Sequence, residues 1–486
     1  MHADTVTQLI PQSSSAEGFD LFLAVDRSCA KPLVRQIEDQ LRSAIRSRKL
    51  QPGRDLPSTR ALARDLSVSR GVVVRAYAQL AEEGYLKLRQ GAAASIREPG
   101  TGAPVAAATK ASEERAVRVR YDLRPHLPEA GFFPRNAWLR SLRHAVTTAE
   151  NADLTYSDSR GLEQLRNEVS AYLGRARGIA ADPGQIIITA GCAHSLNLVF
   201  HMLARKGAGR IGLENPSDCL VHKIAKRSGL EPIGISLDHD GVLVGEFGAA
   251  GVPAVVVSAG HQFPTGSLLT WERQAALVRW ADTVGGLVIE DEYDAALRPD
   301  WTAISAQDRL PRDRVVYLGS TGKTLSPAVR LGWAVLPKAL ATLFAEEVVT
   351  SVLQISAIEQ LAFADFLRRG EFDRHLRQMR IVFCQRRTAV VAAFERALPH
   401  VRVRDGAAGL NMLIELPSVD LEQAALRQAS SRGIKVETLS RHTLPGYRGP
   451  AGLLIGVGGL ADGAISHVVE ELAGALAAVG ALAAAA

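Results

Sequence analysis

Tyr317-Leu-Gly-Ser-Thr-Gly-Lys-Thr-Leu-Ser-Pro-Ala-Val-Arg-Leu-Gly332 is the stretch on which the reading of this chain turns. A short strand, Val315–Leu318, runs into a Gly/Ser-rich turn that carries Lys323. A lysine in that place can form a Schiff base with an aldehyde. Seven residues on, Arg330 offers a fixed cationic fork for a phosphate, and Ser320 adds a hydroxyl donor. Taken alone, such a lysine is also compatible with a plain surface position or with a nucleotide loop. The run lacks the GxxxxGK[ST] spacing of a phosphate loop.

A second stretch narrows the choice. Leu287-Val-Ile-Glu-Asp-Glu-Tyr-Asp294 is an apolar strand ending in acids, with Asp291 32 residues before Lys323. A carboxylate at a strand end can keep a pyridine nitrogen protonated, which is what makes pyridoxal phosphate an electron sink. Asp291 is the candidate, and Tyr293 is placed to donate to the cofactor's phenolic oxygen. A third stretch, Ile186-Ile-Ile-Thr-Ala-Gly191, is a strand followed by a helix that starts near Cys192. Amides at such a helix start bind phosphate, so Cys192 and Ala193 are expected to contribute backbone N–H groups. A plain strand–helix joint is the other reading of that element.

Outward from these motifs, residues 121 to 486 alternate helical patterns with short β-branched runs (Ile186–Thr189, Ala254–Ser258, Leu287–Ile289, Val315–Leu318). That alternation implies an α/β fold with a largely parallel sheet. The 486-residue length favours two or three domains, and 47% hydrophobic residues supply a sizeable core. Cys29, Cys192, Cys219 and Cys384 form no CxxC pair and no Cys/His metal spacing, which fits a reducing cytoplasm and no metal. No signal peptide is read at the N-terminus. The Ala-rich tail Leu472–Ala486 is too short for a membrane span needing roughly 20 residues, and reads as a surface or packing helix.

Charge sets the N-terminal part aside. Lys31 to Arg97 holds 14 Lys/Arg against 6 Asp/Glu, a balance of +8 in a chain of net +6. A basic block on a near-neutral body points to a polyanion partner for that block. Pro32–Arg48 carries Leu33, Ile37, Leu41, Ala44 and Ile45 at helical spacing. Ser58 is an N-cap for a second helix, Thr59–Leu66, and Ser69 for a third that ends near Glu83. Tyr85–Ile96 alternates and turns at Gly91, as a small β wing does. Two helices joined by a tight turn set the third into a DNA major groove, with Arg70 and Arg75 near its start and Arg60 facing the backbone. Residues 98–120, rich in Pro, Gly, Thr and Ala, read as a flexible linker.

Leu56-Pro-Ser-Thr-Arg-Ala-Leu-Ala-Arg-Asp-Leu-Ser-Val-Ser-Arg-Gly-Val-Val-Val-Arg-Ala-Tyr resembles the GntR family of winged-helix regulators. The lysine, acid and strand–helix motifs resemble fold-type I aminotransferases. Leu123-Arg-Pro, Phe133-Pro-Arg, Tyr156-Ser-Asp-Ser-Arg-Gly161 and His261-Gln-Phe-Pro-Thr-Gly266 extend that likeness. Joined, the two halves resemble the MocR subfamily of GntR regulators. The resemblance implies a winged helix-turn-helix at 31–97 and an aminotransferase-like domain at 121–486, with a mainly parallel sheet and a smaller C-terminal α+β subdomain from about 365. It makes Ser58, Arg60, Arg70 and Gly91 DNA-contact positions on a double-stranded operator. Lys323 becomes the Schiff-base lysine, Asp291 the pyridine-nitrogen partner and Tyr293 the phenolic-oxygen partner. Ser320 and Arg330 become phosphate ligands, Tyr156 reaches the neighbouring subunit of a homodimer, and His261 lies near the cofactor.

The chain departs from the family pattern in several places. The wing reads Gly91-Ala-Ala-Ala-Ser instead of Gly-Ser-Gly-Thr. Asp218 stands where relatives stack an aromatic on the pyridine ring, and Gly322 replaces a serine before the lysine. Where aminotransferases hold the substrate carboxylate with arginine, this chain reads Gly452-Leu-Leu-Ile-Gly456, with Arg441 upstream. An effector that is not an ordinary α-amino acid, or pyridoxal phosphate itself, is the expectation. The leading function is a regulator that senses an amine, an amino acid or the cofactor. An active aminotransferase with an appended DNA-binding head is the alternative, and a cofactor-free dimerisation scaffold is the third reading.

Overall fold

The computed structural model describes residues 23–29, 31–47, 49–88, 93–97, 119–156, 158–292, 294–298, 313–351, 354–404 and 409–480. They pack as two compact units, one within Met1–Glu114 and one within Arg115–Ala486. Each has a hydrophobic core of its own. Of the linker expected at 98–120, residues 98–118 lie outside the described residues.

In the first unit, α1 (Leu33–Arg46) buries Ile37, Leu41 and Ile45, the four-residue spacing of one helix face. α2 (Thr59–Asp65) starts where the Ser58 hydroxyl accepts from the Ala61 N–H, at 3.1 Å. Ser67, with φ of 52°, turns the chain between α2 and α3 (Arg70–Glu82). α3 buries Val73, Ala76, Tyr77 and Leu80 against the other two helices. Ser69 precedes α3, but its side chain makes no capping hydrogen bond, contrary to the sequence expectation. β1 (Leu86–Lys87) pairs antiparallel with β2 (Ser95–Ile96), Leu86 opposite Ile96. The expected turn residue, Gly91, lies outside the described residues.

The second unit is organised on an eight-stranded sheet. Its strands are β3 (Ile186–Thr189), β4 (Arg210–Asn215), β5 (Glu231–Asp238), β6 (Gly241–Val242), β7 (Ala254–Val257), β8 (Leu287–Asp291), β9 (Val315–Ser320) and β10 (Gly332–Val335). Their order is β3-β10-β9-β8-β7-β4-β5-β6. β9, β8, β7, β4 and β5 run parallel to one another. β10 is antiparallel to both of its neighbours, so β3 points the same way as β9. β3 and β7 are buried along their whole length, as expected of strands covered on both faces by helices. The mainly parallel α/β sheet expected from the β-branched runs is present. β4, β5, β6 and β10 were not among the runs read from the sequence.

C-terminal to the sheet, a 27-residue helix (Glu371–Ala397) leads to a second, antiparallel sheet. Its strands are β11 (Val403–Arg404), β12 (Asn411–Leu416), β13 (Glu437–Thr438) and β14 (Ala451–Gly456), in the order β11-β12-β14-β13. The helix Ile465–Ala477 buries Leu472, Ala473, Ala475 and Leu476, as the apolar tail suggested; residues 481–486 lie outside the described residues. No helix among the described residues is long and apolar enough to cross a membrane.

Candidate functional site

Strands that point one way deliver their carboxyl ends to one edge of a sheet, and ligands of open α/β folds bind there. Here β3, β4, β8 and β9 open onto a cavity of about 200 Å³. Ala190, Gly191, Cys192 and Ala193 reach it from the step between β3 and α4 (Cys192–Arg205). Asp218 reaches it from the turn after β4, Asp291 from the end of β8, and Ser320 from the end of β9. Lys323 and Arg330 stand on the loop from β9 to β10. Two hydrogen bonds pin that loop: Thr321 Oγ1 donates to the Leu331 carbonyl (2.9 Å) and Thr324 Oγ1 to the Ser320 carbonyl (3.2 Å). Arg330 closes it with φ of 53°, a conformation that costs a non-glycine residue energy and is held only by its surroundings. At the other wall, a Cβ on Gly332 would lie 2.7 Å from the Cα of Gly191. Only glycine lets β10 approach the start of α4 this closely.

The charged groups in the cavity are tuned by burial. Burial pushes the Lys323 ammonium from the usual 10.5 down to about 8, against the pull of Asp218, Asp294 and Asp291. Its Nζ donates to the His126 carbonyl at 2.8 Å. Burial pushes Asp291 up to about 6. The Cys192 thiol opposes that shift by donating to Asp291 Oδ1 at 3.1 Å. Burial and Asp291 together hold the Cys192 thiol well above its ordinary value, so it stays a donor. Asp218 Oδ1 accepts from the Leu220 N–H at 2.8 Å, capping α5 (Cys219–Arg227), while Oδ2 lies 3.7 Å from His126 Nε2. Burial, with Lys323 nearby, keeps His126 well below its ordinary value and so neutral.

Sequence reasoning reached some of this and not the rest. Lys323, Asp291, Ser320, Arg330, Cys192 and Ala193 are brought together. The thiol contact of Cys192 was not foreseen, nor was His126. His126 stands directly after the quoted Leu123-Arg-Pro segment, between two prolines, with φ of 72°. His261 does not line the cavity; it is buried, with Nδ1 2.5 Å from Asp294 Oδ1, and Asp294 Oδ2 accepts from the Leu410 N–H. Tyr156 points away from its own chain, 96% exposed. Tyr293 lies outside the described residues. Where an arginine for a carboxylate would stand, β14 is buried throughout, and Leu454 packs with Phe263, Leu413 and Leu439. Arg441 is half-exposed, 4.0 Å from Glu437.

Residues 33–96 match the family model of bacterial regulatory proteins of the gntR family, and residues 129–444 match aminotransferase class I and II. The pyridoxine biosynthesis transcriptional regulator PdxR of Corynebacterium glutamicum is 31% identical over 94% of this chain and 99% of its own. The chain belongs to the MocR-type regulators of the GntR family. A second relative of this MocR-type regulator is the probable rhizopine catabolism regulatory protein MocR of Rhizobium meliloti, 28% identical over 86% of this chain and 89% of that one. Among solved structures, the α-aminoadipate aminotransferase LysN of Thermus thermophilus, complexed with N-(5'-phosphopyridoxyl)-L-leucine, superposes with a TM-score of 0.66. It covers 74% of this chain and 93% of its own at 22% identity, a likeness of fold. The MocR-type chain is thus a helix-turn-helix transcription regulator whose large unit has the aminotransferase fold, and its family is DNA-binding.

Proposed function

We propose that this regulator holds pyridoxal phosphate on Lys323 and that occupancy of the cavity sets the DNA affinity of the winged helix. The observation that carries the reading is the convergence of Lys323, Asp291 and Arg330 on one cavity from three separate stretches of sequence. The donor set suits the cofactor at each end. Arg330, Ser320 and the amides of Cys192 and Ala193 would hold the phosphate, and Asp291 would serve the ring nitrogen. A Cβ on Gly191 would meet nothing within 4 Å, so the helix start is open to an anion. When bound, pyridoxal phosphate supplies an aldehyde carbon for amines and an electron-withdrawing ring. Lys323 is the attachment point. Burial makes it a nucleophile near neutral pH, and the His126 carbonyl orients its amine. Asp291, itself steadied by the Cys192 thiol, would keep the ring nitrogen charged. Purified full-length protein loaded with pyridoxal phosphate is expected to show a visible absorbance band that Lys323→Ala abolishes. A band that persists in that variant removes the proposal.

The effector is an amine, or the cofactor itself, in preference to an ordinary α-amino acid. This rests on the apolar β14, which leaves that strand without a cation for a carboxylate. Regulation requires that the ligand bind two arrangements of the protein unequally. An aminotransferase reading draws on the same Lys323 and Asp291, and steady turnover of an amino donor and a keto acid would favour it. Tyr156, on an exposed loop, is the proposed contact to the partner subunit in a homodimer.

Ser58, capping α2, and Arg60, Arg70 and Arg75, on α2 and α3, are exposed and are the proposed DNA contacts. Arg70 opens α3, with its Nε 3.4 Å from Thr59 Oγ1. Arg70→Ala is expected to weaken operator binding and to lower the slope of log affinity against log salt by about 1, as loss of one phosphate contact does. Fluorescence anisotropy at several salt concentrations measures both. An unchanged affinity takes Arg70 out of the interface.

A further inference from the structure

Asp218, Cys219 and His442 meet at the rim of the Lys323 cavity. One ligand atom from each, a carboxylate oxygen, a thiol sulfur and an imidazole nitrogen, lies within 4.8 Å of the other two. We propose that these three side chains bind a divalent transition-metal ion of zinc's class, independently of pyridoxal phosphate. Sequence spacing could not reveal the site: two ligands are adjacent and the third is 223 residues away.

The imidazole is already set for the task. His442 is buried at 1% exposure, and its Nε2 lies 3.0 Å from Glu437 Oε2. A ring that donates from Nε2 to a carboxylate keeps its lone pair on Nδ1, the arrangement found behind metal-bound histidines. Nδ1 accepts a long hydrogen bond from the Cys219 backbone N–H (3.3 Å), and a metal would take that lone pair in exchange for it. Cys219 is a free thiol and partly exposed, so it can lose its proton to a metal. Asp218 spends Oδ1 on the cap of α5, and its Oδ2 lies 3.7 Å from His126 Nε2.

Tetrahedral zinc with bonds of about 2.0–2.3 Å separates its ligand atoms by roughly 3.3–3.7 Å. The three ligand atoms, within 4.8 Å of one another, would have to draw together by roughly 1 Å to reach that geometry. A sulfur, a nitrogen and an oxygen together select zinc and its neighbours over magnesium or calcium, which take oxygen alone. Three features oppose a cation: the amino end of α5, the half-exposed Arg441 guanidinium, which lies against Cys219, and the Lys323 ammonium beside Asp218. Against them stand three negative groups: Asp218, the Cys219 thiolate and Glu437. Three protein ligands leave a fourth position for water or for an incoming ligand, and Asp218 places that position beside the cavity.

The test uses metal-free full-length protein without pyridoxal phosphate, titrated with zinc against a chromophoric chelator and separately with cobalt(II). The expected result is one zinc per chain and, with cobalt, an intense thiolate-to-metal absorption. Cys219→Ala should remove that absorption and the stoichiometric zinc. Glu437→Gln should weaken zinc by about 10–100-fold, the usual effect of losing a carboxylate behind a histidine ligand. Cys29→Ala and Cys384→Ala, at exposed thiols far from the cluster in sequence, should change neither reading. Failure to take up one equivalent, or uptake indifferent to Cys219→Ala, overturns the site.

Discussion

Arg177→Met is expected to destabilise the large unit by about 3–5 kcal/mol, the cost of removing one partner of a buried ion pair. Arg177 ends the helix Glu163–Arg177, and its side chain is 6% exposed. It pairs with Glu292, 10% exposed, which also accepts from the Tyr317 hydroxyl. The guanidinium lies 5.5 Å from the centre of the Tyr172 ring. Methionine fills the volume and leaves the buried Glu292 carboxylate without its ion-pair partner, with the Tyr317 hydroxyl and the charge of Arg380 to offset it. The consequence reaches the site, because Glu292 directly follows Asp291 and both line the cavity. Arg177→Met should therefore also weaken cofactor retention. Adding Glu292→Leu and Tyr317→Phe removes the stranded charge and its donor, and should recover most of the stability. Urea unfolding of the three proteins measures this. A loss below about 1 kcal/mol in the single variant would mean that water reaches the pair and screens it.

Arg177 and Glu292 also show what the sequence could not disclose. They are 115 residues apart, and nothing in the spacing of either marks the other. Lys323, Asp291 and Arg330 were legible for a different reason. Asp291 ends one apolar strand, Lys323 stands just past the end of another, and Arg330 follows on the same loop, seven residues from the lysine; parallel strands send such ends to a common edge. That rule needs only the strands and their direction. It does not need the order β3-β10-β9-β8-β7-β4-β5-β6, which no local pattern encodes. His126 was missed on this account. It belongs to a loop near the start of the large unit and reaches Lys323 from 197 residues away through a backbone carbonyl, which any residue type supplies. The thiol of Cys192 was missed because reading its position as a helix start drew attention to its amide, while the side chain turned to Asp291.

The head was more legible than the body, because its contacts are local. Ile37, Leu41 and Ile45 on α1, and Val73, Ala76, Tyr77 and Leu80 on α3, lie at helical spacing and are all buried. Ser69 makes no capping hydrogen bond, and the helix ends fall one or two residues from where the sequence placed them.

Capture of pyridoxal phosphate by apo protein should speed up about tenfold per pH unit below about 8 and level off above it. The sign follows from the charge. Burial disfavours the ammonium, so Lys323 gives up its proton at about 8 where an ordinary lysine holds it to 10.5. Only the neutral amine carries the lone pair that attacks an aldehyde. At pH 7.5 the neutral fraction is then about a quarter, roughly 200-fold more than for an exposed lysine. Asp218, Asp294 and Asp291 work in the other direction by stabilising the ammonium. Asp218→Asn should therefore move the midpoint to lower pH, and quicken capture at neutral pH, by removing the first of those charges. Stopped-flow absorbance in chelator-treated buffer follows the rate without interference from a metal at the rim. A midpoint near that of an exposed lysine, unmoved by Asp218→Asn, would show that Lys323 is solvated in the apo protein. The cavity would then owe any grip on the cofactor to its phosphate end alone.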